Sequence, residues 1–361
     1  MEDKKPILFC TASYGYLKEK MMRSDRFLDG QIARGQANGG PILEDKPFPD
    51  GERYHRILTE VADYPVVLMG GTIDDRETME LLDLGQAIVE KGALSLLMLV
   101  PYFGYSTMER QVQPGEVVKA KNRARMLSAI PTASFGNRIY LLDLHSEGIP
   151  HYFENSLVAV HVYARDIVID AIVDVVREWQ SSAMVASAVA DGGDRVKTSS
   201  SRASSGEMID WLDDAHFTLA STDAGRAKWV ESLAQDMADR GIPVHPAFII
   251  KRRVSGTETE IADISADVQG KFVVIYDDMV RTGGSAIKAA KAYSRQGAKG
   301  IALICTHGVL PGDSLKRLED SGCFFKVIVT DSHPRAVGLE SDFLKVISVG
   351  DLLVESIMHR H

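Results

Sequence analysis

Cysteine is scarce in this sequence: Cys10, Cys305 and Cys323 are the only three among 361 residues. They show none of the paired spacings that zinc sites use, and two of them fall in apolar runs that are typical of buried strands. Nothing therefore indicates a disulfide framework or a thiolate metal site. We expect a reducing compartment, the cytoplasm.

Long apolar runs and an excess of positive charge are also missing. No stretch approaches the ~20 apolar residues of a membrane span, and the N-terminus lacks the apolar segment of a signal peptide. Lys and Arg number 41 against 50 Asp and Glu, which gives a net charge of −9. This balance argues against a protein whose main task is binding nucleic acid. We expect neither a membrane nor a nucleic-acid partner.

What the chain does contain is a regular alternation of short apolar runs and amphipathic stretches. Strand-like runs such as Val66–Met69 and Leu94–Val100 flank a helix-like stretch from Thr72 to Lys91. Such alternation predicts an α/β fold, with mostly parallel sheets flanked by helices. The length exceeds the usual ~100–200 residues of one domain, and both halves alternate in the same way. We therefore predict two tandem domains, at 1–157 and 158–343, followed by a strand and helix at 344–361 able to pack on the first.

Three stretches of the second half have a distinct character. The spacing predicts a helix over Val158–Trp179. Residues 181–206 are rich in Ser, Ala and Gly, which favours an exposed insertion. Lys251-Arg252-Arg253 ends an apolar run and precedes a polar stretch without periodicity, which favours a surface loop able to close over a ligand. A basic triplet alone, however, is most often a solvated surface.

The most informative stretch is Phe272–Ser285, FVVIYDDMVRTGGS. An apolar run ends in two adjacent carboxylates, followed by a loop with Gly and hydroxyl residues and then by the start of a helix. Paired carboxylates accept hydrogen bonds from vicinal sugar hydroxyls, and free N–H groups at a helix N-terminus bind phosphate. A ribose 5-phosphate would satisfy both halves. The alternative is a structural arrangement in which the two acids cap the helix.

Polar residues at the ends of other predicted strands are weaker signals when taken singly. Asp143 and His145 lie at the end of the predicted strand Ile139–Leu144, and a spacing of two predicts that they share a face. Phe48–Arg53 is a charged turn, and Tyr102–Gln111 is too long for a minimal connection between strand and helix. A histidine at a strand end is more often structural than a ligand, and Mg²⁺ prefers oxygen.

Together these segments resemble the ribose-phosphate pyrophosphokinases. The stretch VVIYDDMVRTGGSAIKAAKAYSRQGAKGIALICTHGVL is similar to the phosphoribosyl-pyrophosphate binding segment of that family. Four more segments follow the family's order and spacing, over roughly Phe48 to the C-terminus. They are FPDGE at Phe48–Glu52, PYFGY at Pro101–Tyr105, DLH at Asp143–His145 and STDAG at Ser221–Gly225.

The resemblance implies two type I phosphoribosyltransferase-like domains and a homo-oligomer, either dimer-based, trimeric or hexameric. It also implies transfer of the β,γ-diphosphoryl group of MgATP to ribose 5-phosphate. The roles that it implies are as follows: catalysis by Lys251 and Arg253; ATP binding by Phe48, Asp50, Glu52, Glu109 and Arg110; ribose 5-phosphate binding by Asp277, Asp278, Arg281, Thr282, Gly283, Gly284 and Ser285; pyrophosphate binding by Asp223, Ala224 and Gly225; and metal binding by His145 and Asp223.

The sequence departs from the common family pattern at two places. Ser106–Glu109 stands where the common form has Ala-Arg-Gln-Asp, so the ATP site must be built differently there. This arrangement, together with Arg281 in place of the usual Asp, is closer to the plant-type second class. Arg281 beside the phosphate loop leaves room for a second acceptor such as ADP-ribose.

Three alternatives therefore stay open beside a ribose-phosphate diphosphokinase. One is a pyrophosphokinase for another ribose phosphate, such as ADP-ribose. Another is a phosphoribosyltransferase that consumes the activated sugar, which the presence of Lys251 and Arg253 disfavours. The last is a catalytically silent regulatory paralogue, which Thr107 and Met108 favour and Asp223 and Asp277 disfavour.

Overall fold

The computed structural model describes residues 4–37, 40–190, 212–222, 224–253, 259–264 and 267–358. The chain forms two compact units. The first comprises Met1–Ala164, Ser332–Pro334 and Ser348–His361, and the second comprises Arg165–Asp331 and Arg335–Ile347. Among the described residues, no helix is both long enough and apolar enough to span a bilayer.

The first unit is built on a six-stranded parallel sheet. Its strands, with the short flanking ones, are β1 (Ile7–Cys10), β2 (Leu28–Asp29), β3 (Ile32–Ala33), β4 (Gly35–Ala37), β5 (Gly40–Ile42), β6 (Arg56–Ile57), β7 (Pro65–Met69), β8 (Ser95–Val100), β9 (Asn137–Leu142) and β10 (Leu157–Val162). The order across the sheet is β10-β9-β8-β7-β1-β2. The pairs β3–β6 and β4–β5 are antiparallel.

Helices cover this sheet because their sequences carry one apolar face each. They are α1 (Gly15–Met22), α2 (Asp75–Glu90) and α3 (Lys119–Ser128). The α2 helix begins where Asp74 accepts a hydrogen bond from the Glu77 N–H at 2.8 Å, which is a typical N-cap. It buries Leu81, Leu84 and Ile88 against the sheet. This packing explains why apolar runs and amphipathic stretches alternate in the sequence.

The second unit is built on a five-stranded parallel sheet, ordered β11-β14-β15-β16-β17, with a separate antiparallel ribbon of β12 and β13. The strands are β11 (Phe217–Ser221), β12 (Ile249–Arg253), β13 (Thr259–Ile264), β14 (Phe272–Val280), β15 (Gly300–Gly308), β16 (Lys326–Thr330) and β17 (Leu344–Ile347). The remaining helices are α4 (Arg165–Ala190), α5 (Ala227–Asp239), α6 (Gly284–Arg295), α7 (Ser314–Asp320), α8 (Pro334–Val337) and α9 (Gly350–Met358). The predicted α/β architecture of two mostly parallel sheets flanked by helices is confirmed.

The predicted helix over Val158–Trp179 is wrong in its first part. Residues Leu157–Val162 form β10, which pairs in parallel with β9 at the edge of the first sheet. Alternating β-branched residues in this stretch fit a pleated edge better than a helix. The helix α4 starts at Arg165 and stacks Trp179 on Phe272 of β14, with ring centroids 4.9 Å apart.

Two predicted loops also differ from the structure. The expected insertion at 181–206 begins as helix, since α4 continues to Ala190 through Ala-rich sequence with high helix propensity. Residues 191–206 lie outside the described residues. The basic triplet Lys251–Arg253 belongs to strand β12, and residues 259–264 of the polar stretch after it form the pairing strand β13. The backbone there is a two-stranded ribbon, because hydrogen bonds between strands do not require apolar periodicity.

Candidate active site

The centre of the candidate site is the paired acid of β14. The strand was expected to end at Tyr276, but it continues to Val280, so Asp277 and Asp278 lie within it. Asp277 pairs in register with Cys305 of β15, and this parallel ladder supports the extension. Asp278 is buried and Asp277 is largely so, with their side chains 5% and 18% exposed. The capping interpretation fails here, because acids inside a strand do not cap the following helix.

One arginine contacts both carboxylates. The Arg226 guanidinium lies 2.5 Å from Asp278 Oδ1 through Nη2 and 3.4 Å from Asp277 Oδ1 through Nε. Asp277 Oδ2 accepts a hydrogen bond from Thr222 Oγ1 at 2.7 Å, and Oδ1 accepts one from the Asp278 N–H at 2.9 Å. The pair of acids is therefore held in one fixed orientation by residues that follow β11.

Burial and neighbouring charges shift the pKa values of the groups in this cluster. Burial and the neighbouring Asp278 raise the pKa of Asp277 to about 7, although Thr222 and Arg226 oppose the rise. Burial lowers the pKa of Arg226, but Asp278 and Asp277 raise it by more, so the guanidinium stays charged. Burial also raises the pKa of the neighbouring Cys305 thiol well above its usual range, so this cysteine stays neutral. The charged guanidinium of Arg226 thus faces both carboxylates near neutral pH.

The loop after β14 forms a cradle for an anion. Gly283 adopts φ +76°, and a Cβ there would lie 2.7 Å from Leu318 Cδ2, so this position requires glycine. No side chain caps the N-terminus of α6, whose first N–H groups lack acceptors within the helix. Arg281, Thr282 and Ser285 are exposed around it. Free N–H groups at a helix N-terminus favour a phosphate.

Aromatic packing fixes the frame around these groups. Trp229 of α5 stacks on Tyr276 of β14, with centroids 3.9 Å apart and planes 8° apart. The Tyr293 hydroxyl of α6 donates to the Ser221 carbonyl at 3.0 Å, which ties α6 to the end of β11. These contacts anchor the start of α5 and the last turn of α6 on the sheet.

The remaining predicted residues of the second unit lie on two segments. Ala224 and Gly225 form a single 3-10 turn with Arg226, directly before α5. Asp223, expected to bind pyrophosphate and metal, lies outside the described residues. Lys251 and Arg253 are residues of β12, and the pairing of β12 with β13 shifts its register between Ile250 and Lys251. Their assignments stay predictions.

In the first unit, the expected ATP residues lie on exposed segments. Phe48 is 43% exposed, and its backbone N–H donates to the Glu52 carbonyl at 2.8 Å, so the segment is a tight turn. Asp50 accepts a hydrogen bond from the Glu52 N–H at 3.0 Å. Glu109 and Arg110 form an ion pair at 3.5 Å after the 3-10 turn Ser106–Met108. Phe48, Asp50, Glu52 and Arg110 are therefore accessible to a ligand, whereas the Glu109 side chain is only 16% exposed.

The prediction that Asp143 and His145 share a strand face is wrong. The strand β9 ends at Leu142, and Asp143 adopts φ +37°, so the alternation of side chains stops there. The buried Asp143 carboxylate accepts a hydrogen bond from the Ala164 N–H at 3.1 Å, which is a structural role. His145 is half-buried beyond it. Within the described parts of the chain, no three His, Cys, Asp or Glu residues cluster as metal ligands would.

Sequence reasoning missed Arg226 and Thr222 as parts of this site. Both flank the predicted pyrophosphate segment, and a charged residue immediately after such a motif was the available signal. Their role depends on the pairing of β11 with β14, which brings Ser221 level with Tyr276. That register is a property of the fold and is invisible in a local pattern.

Comparisons with known proteins agree with this geometry. Residues 22–130 match the N-terminal domain of ribose phosphate pyrophosphokinase, and residues 237–361 match the phosphoribosyl synthetase-associated domain. A crystal structure of phosphoribosylpyrophosphate synthetase from Mycobacterium smegmatis has the same fold, with a TM-score of 0.72, 23% identity and 98% of both chains covered.

Two curated relatives extend the likeness over most of the sequence. The chloroplastic ribose-phosphate pyrophosphokinase 1 of Oryza sativa subsp. japonica is 28% identical over 318 residues, which cover 88% of this chain and 69% of that protein. The ribose-phosphate pyrophosphokinase of Gloeobacter violaceus is 30% identical over 324 residues, which cover 89% of this chain and 83% of that protein. This chain belongs to the ribose-phosphate pyrophosphokinase family.

Proposed function

We propose that this protein transfers the β,γ-diphosphoryl group of ATP to the anomeric hydroxyl of ribose 5-phosphate, giving 5-phosphoribosyl 1-pyrophosphate and AMP. The observation that carries the proposal is the strand, loop and helix from Phe272 to Arg295. It presents two carboxylates and, a few residues later, an uncapped helix N-terminus. Vicinal hydroxyls and a phosphate on one small molecule match these two features.

The acceptor binds in this proposal along that segment. Asp277 and Asp278 accept hydrogen bonds from the ribose hydroxyls. The 5-phosphate occupies the loop Arg281–Ser285, where backbone N–H groups and the exposed hydroxyls of Thr282 and Ser285 donate to it. The acceptor is thereby held at both ends, which leaves its anomeric hydroxyl to be oriented toward the donor.

The transfer itself needs positioning and charge neutralisation. The anomeric oxygen attacks the β-phosphorus, the bond between that phosphorus and the α,β-bridging oxygen breaks, and AMP leaves with the electron pair. The anomeric proton passes to solvent. Lys251 and Arg253 of β12 stabilise the charge that develops on the phosphate oxygens, while Asp223, Ala224 and Gly225 line the pyrophosphate.

The donor site in this proposal uses the exposed segments of the first unit. Phe48, Asp50 and Glu52 contact the adenine, and Glu109 and Arg110 complete the ATP site. His145 and Asp223 are the proposed ligands of Mg²⁺, which would supply neutralisation of the phosphate charge of ATP. Oxygen ligands suit this ion better than the His145 imidazole, so Asp223 is the stronger of the two.

The cytoplasmic location, the homo-oligomer and the closeness to the plant-type class also belong to this proposal. They rest on the sequence resemblance. The mass of the protein in solution, measured by light scattering, tests the oligomer against the 39.6 kDa of a single chain.

An acceptor panel tests the proposed function. Purified protein is incubated with MgATP and, separately, with ribose 5-phosphate, ADP-ribose or no acceptor, and AMP is measured. We expect AMP with ribose 5-phosphate. AMP formed with ADP-ribose but not with ribose 5-phosphate would indicate that ADP-ribose is the acceptor. The absence of AMP with both compounds would indicate a catalytically silent paralogue.

A further inference from the structure

Arg226 is the one charged residue that no sequence motif assigned and that contacts both acids of the acceptor site. Its side chain is 15% exposed, which is unusual for an arginine and means that its charge is largely withdrawn from water. Its guanidinium pairs with Asp278 at 2.5 Å and with Asp277 at 3.4 Å.

Two adjacent carboxylates cannot both stay ionised in a buried setting without a cation. Each repels the other, and the resulting preference is for one shared proton. Among the residues that the structure describes, Asp278, Asp277 and the Tyr276 hydroxyl act on the charge of Arg226, and Cys305 lies beside Asp277. Among these groups, Arg226 is the one that carries positive charge.

The backbone of Arg226 is fixed in place by neighbouring contacts. It ends the 3-10 turn Ala224–Arg226 and is the N-cap residue of α5. Trp229 follows within the first turn of α5 and stacks on Tyr276, the residue directly before the paired acid. The guanidinium is therefore delivered to the carboxylates from a rigid position, which is what a positioning role requires.

We propose that Arg226 is a positioning residue for the sugar acceptor, holding Asp277 and Asp278 in the orientation that accepts hydrogen bonds from a vicinal diol. This inference rests on the proposed function, since it assumes that a ribose phosphate occupies this site. Because Arg226 also ends the turn formed by Ala224 and Gly225, it joins the acceptor residues to the segment proposed for pyrophosphate.

The kinetic test uses Arg226→Met, which removes the charge and keeps much of the volume, and Arg226→Lys, which keeps the charge. We expect Arg226→Met to raise KM for ribose 5-phosphate by about tenfold or more, the range for losing hydrogen bonds to charged groups. KM for ATP should change by less than about twofold. Arg226→Lys should recover part of the loss. The pH at which kcat/KM for ribose 5-phosphate reaches half its plateau should rise in Arg226→Met, because Asp277 loses a cation that lowers its pKa.

Arg240→Met is the matched control, because Arg240 pairs with the exposed Asp166 on the surface of the same unit. It should leave both KM values unchanged. Equal increases of both KM values in Arg226→Met, or an unchanged pH profile, would overturn the proposal and leave a structural role. If Arg226→Met does not fold, as judged by circular dichroism, the same comparisons are made with Arg226→Gln.

Calorimetric titration with ribose 5-phosphate in the absence of ATP separates this inference from the proposed function. We expect the wild type to bind and Arg226→Met to bind about tenfold more weakly. Binding that depends on Arg226, without any AMP formation in the acceptor panel, would defeat the proposed function and support the inference. Equal binding by the two proteins would overturn the inference even if the wild type makes AMP.

Discussion

Asp277 is buried next to a second carboxylate, Asp278, and this environment makes Asp277 sensitive to pH. Burial and Asp278 raise the pKa of Asp277 to about 7, against an ordinary value of 3.8. The proton is therefore bound more tightly in the folded chain than in the unfolded one. The stability that this residue contributes is fully present below its ordinary pKa and is lost as pH rises toward 7.

Replacing Asp277 by asparagine tests this predicted loss of stability at higher pH. The wild type should lose free energy of unfolding relative to Asp277→Asn as pH rises from 5 to 8, because only the wild type must ionise a buried acid. Urea unfolding of both proteins across that range measures the difference. A difference that stays constant, or that grows in favour of the wild type, would contradict the raised pKa.

The loop Arg281–Ser285, proposed to bind the 5-phosphate, gives a second prediction. Gly283→Ala combines a left-handed backbone with a Cβ placed against Leu318, so we expect a loss of about 1–3 kcal/mol in the free energy of unfolding. Gly284→Ala is the control for stability, because the atom nearest to its Cβ is 3.9 Å away. Thermal unfolding measures both. Equal stability of the two variants would show that the loop tolerates a side chain at Gly283.

Among the elements, the ribbon of β12 and β13 differs most from the rest of the second unit. It stands apart from the parallel sheet and pairs only within itself among the described residues. A two-stranded ribbon has little stability of its own, so it is suited to move with a bound ligand. In the proposed function, Lys251 and Arg253 of this ribbon stabilise charge on the phosphates.

Lys251→Ala tests the proposed role of this ribbon. We expect kcat to fall at least a hundredfold, because a cation that stabilises the transition state is lost, while the unfolding midpoint changes little. Arg252→Ala is the control within the same basic triplet, since the family resemblance gives Arg252 no role. A normal kcat in Lys251→Ala, or an equal fall in both variants, would contradict the assignment.

How far the sequence predicts these elements depends on how local their causes are. Runs such as Phe217–Ser221 and Phe272–Tyr276 are strands because they are buried on both sides of a parallel sheet, and they were found directly. The sequence predicts a helix from Val158, but Leu157–Val162 is a strand, because its pairing with β9 is a tertiary contact that the local pattern does not contain. The ion pairs of Arg226 are also tertiary contacts, because β12 and β13 lie between Arg226 and the two acids in the sequence. A local sequence pattern therefore does not predict them.

At the scale of the whole molecule, the two units repeat one architecture, a parallel sheet with helices, and each presents polar residues where its strands end. The second unit provides the paired acid and the anion cradle within one strand, loop and helix. The first provides the exposed turn at Phe48–Glu52 and the bend at Glu109–Arg110. The proposed function assigns the residues of the second unit to the sugar phosphate and those of the first unit to ATP.

The proposed reaction moves the β,γ-diphosphoryl group of ATP as a unit. Incubation of the protein with Mg²⁺, ribose 5-phosphate and ATP labelled at the β-phosphorus tests this transfer. We expect the label to leave the nucleotide with the β,γ-diphosphoryl group and to appear in 5-phosphoribosyl 1-pyrophosphate, while unlabelled AMP forms in equal amount. Label that remains in the nucleotide as ADP, or that appears only in free phosphate or pyrophosphate, would contradict it.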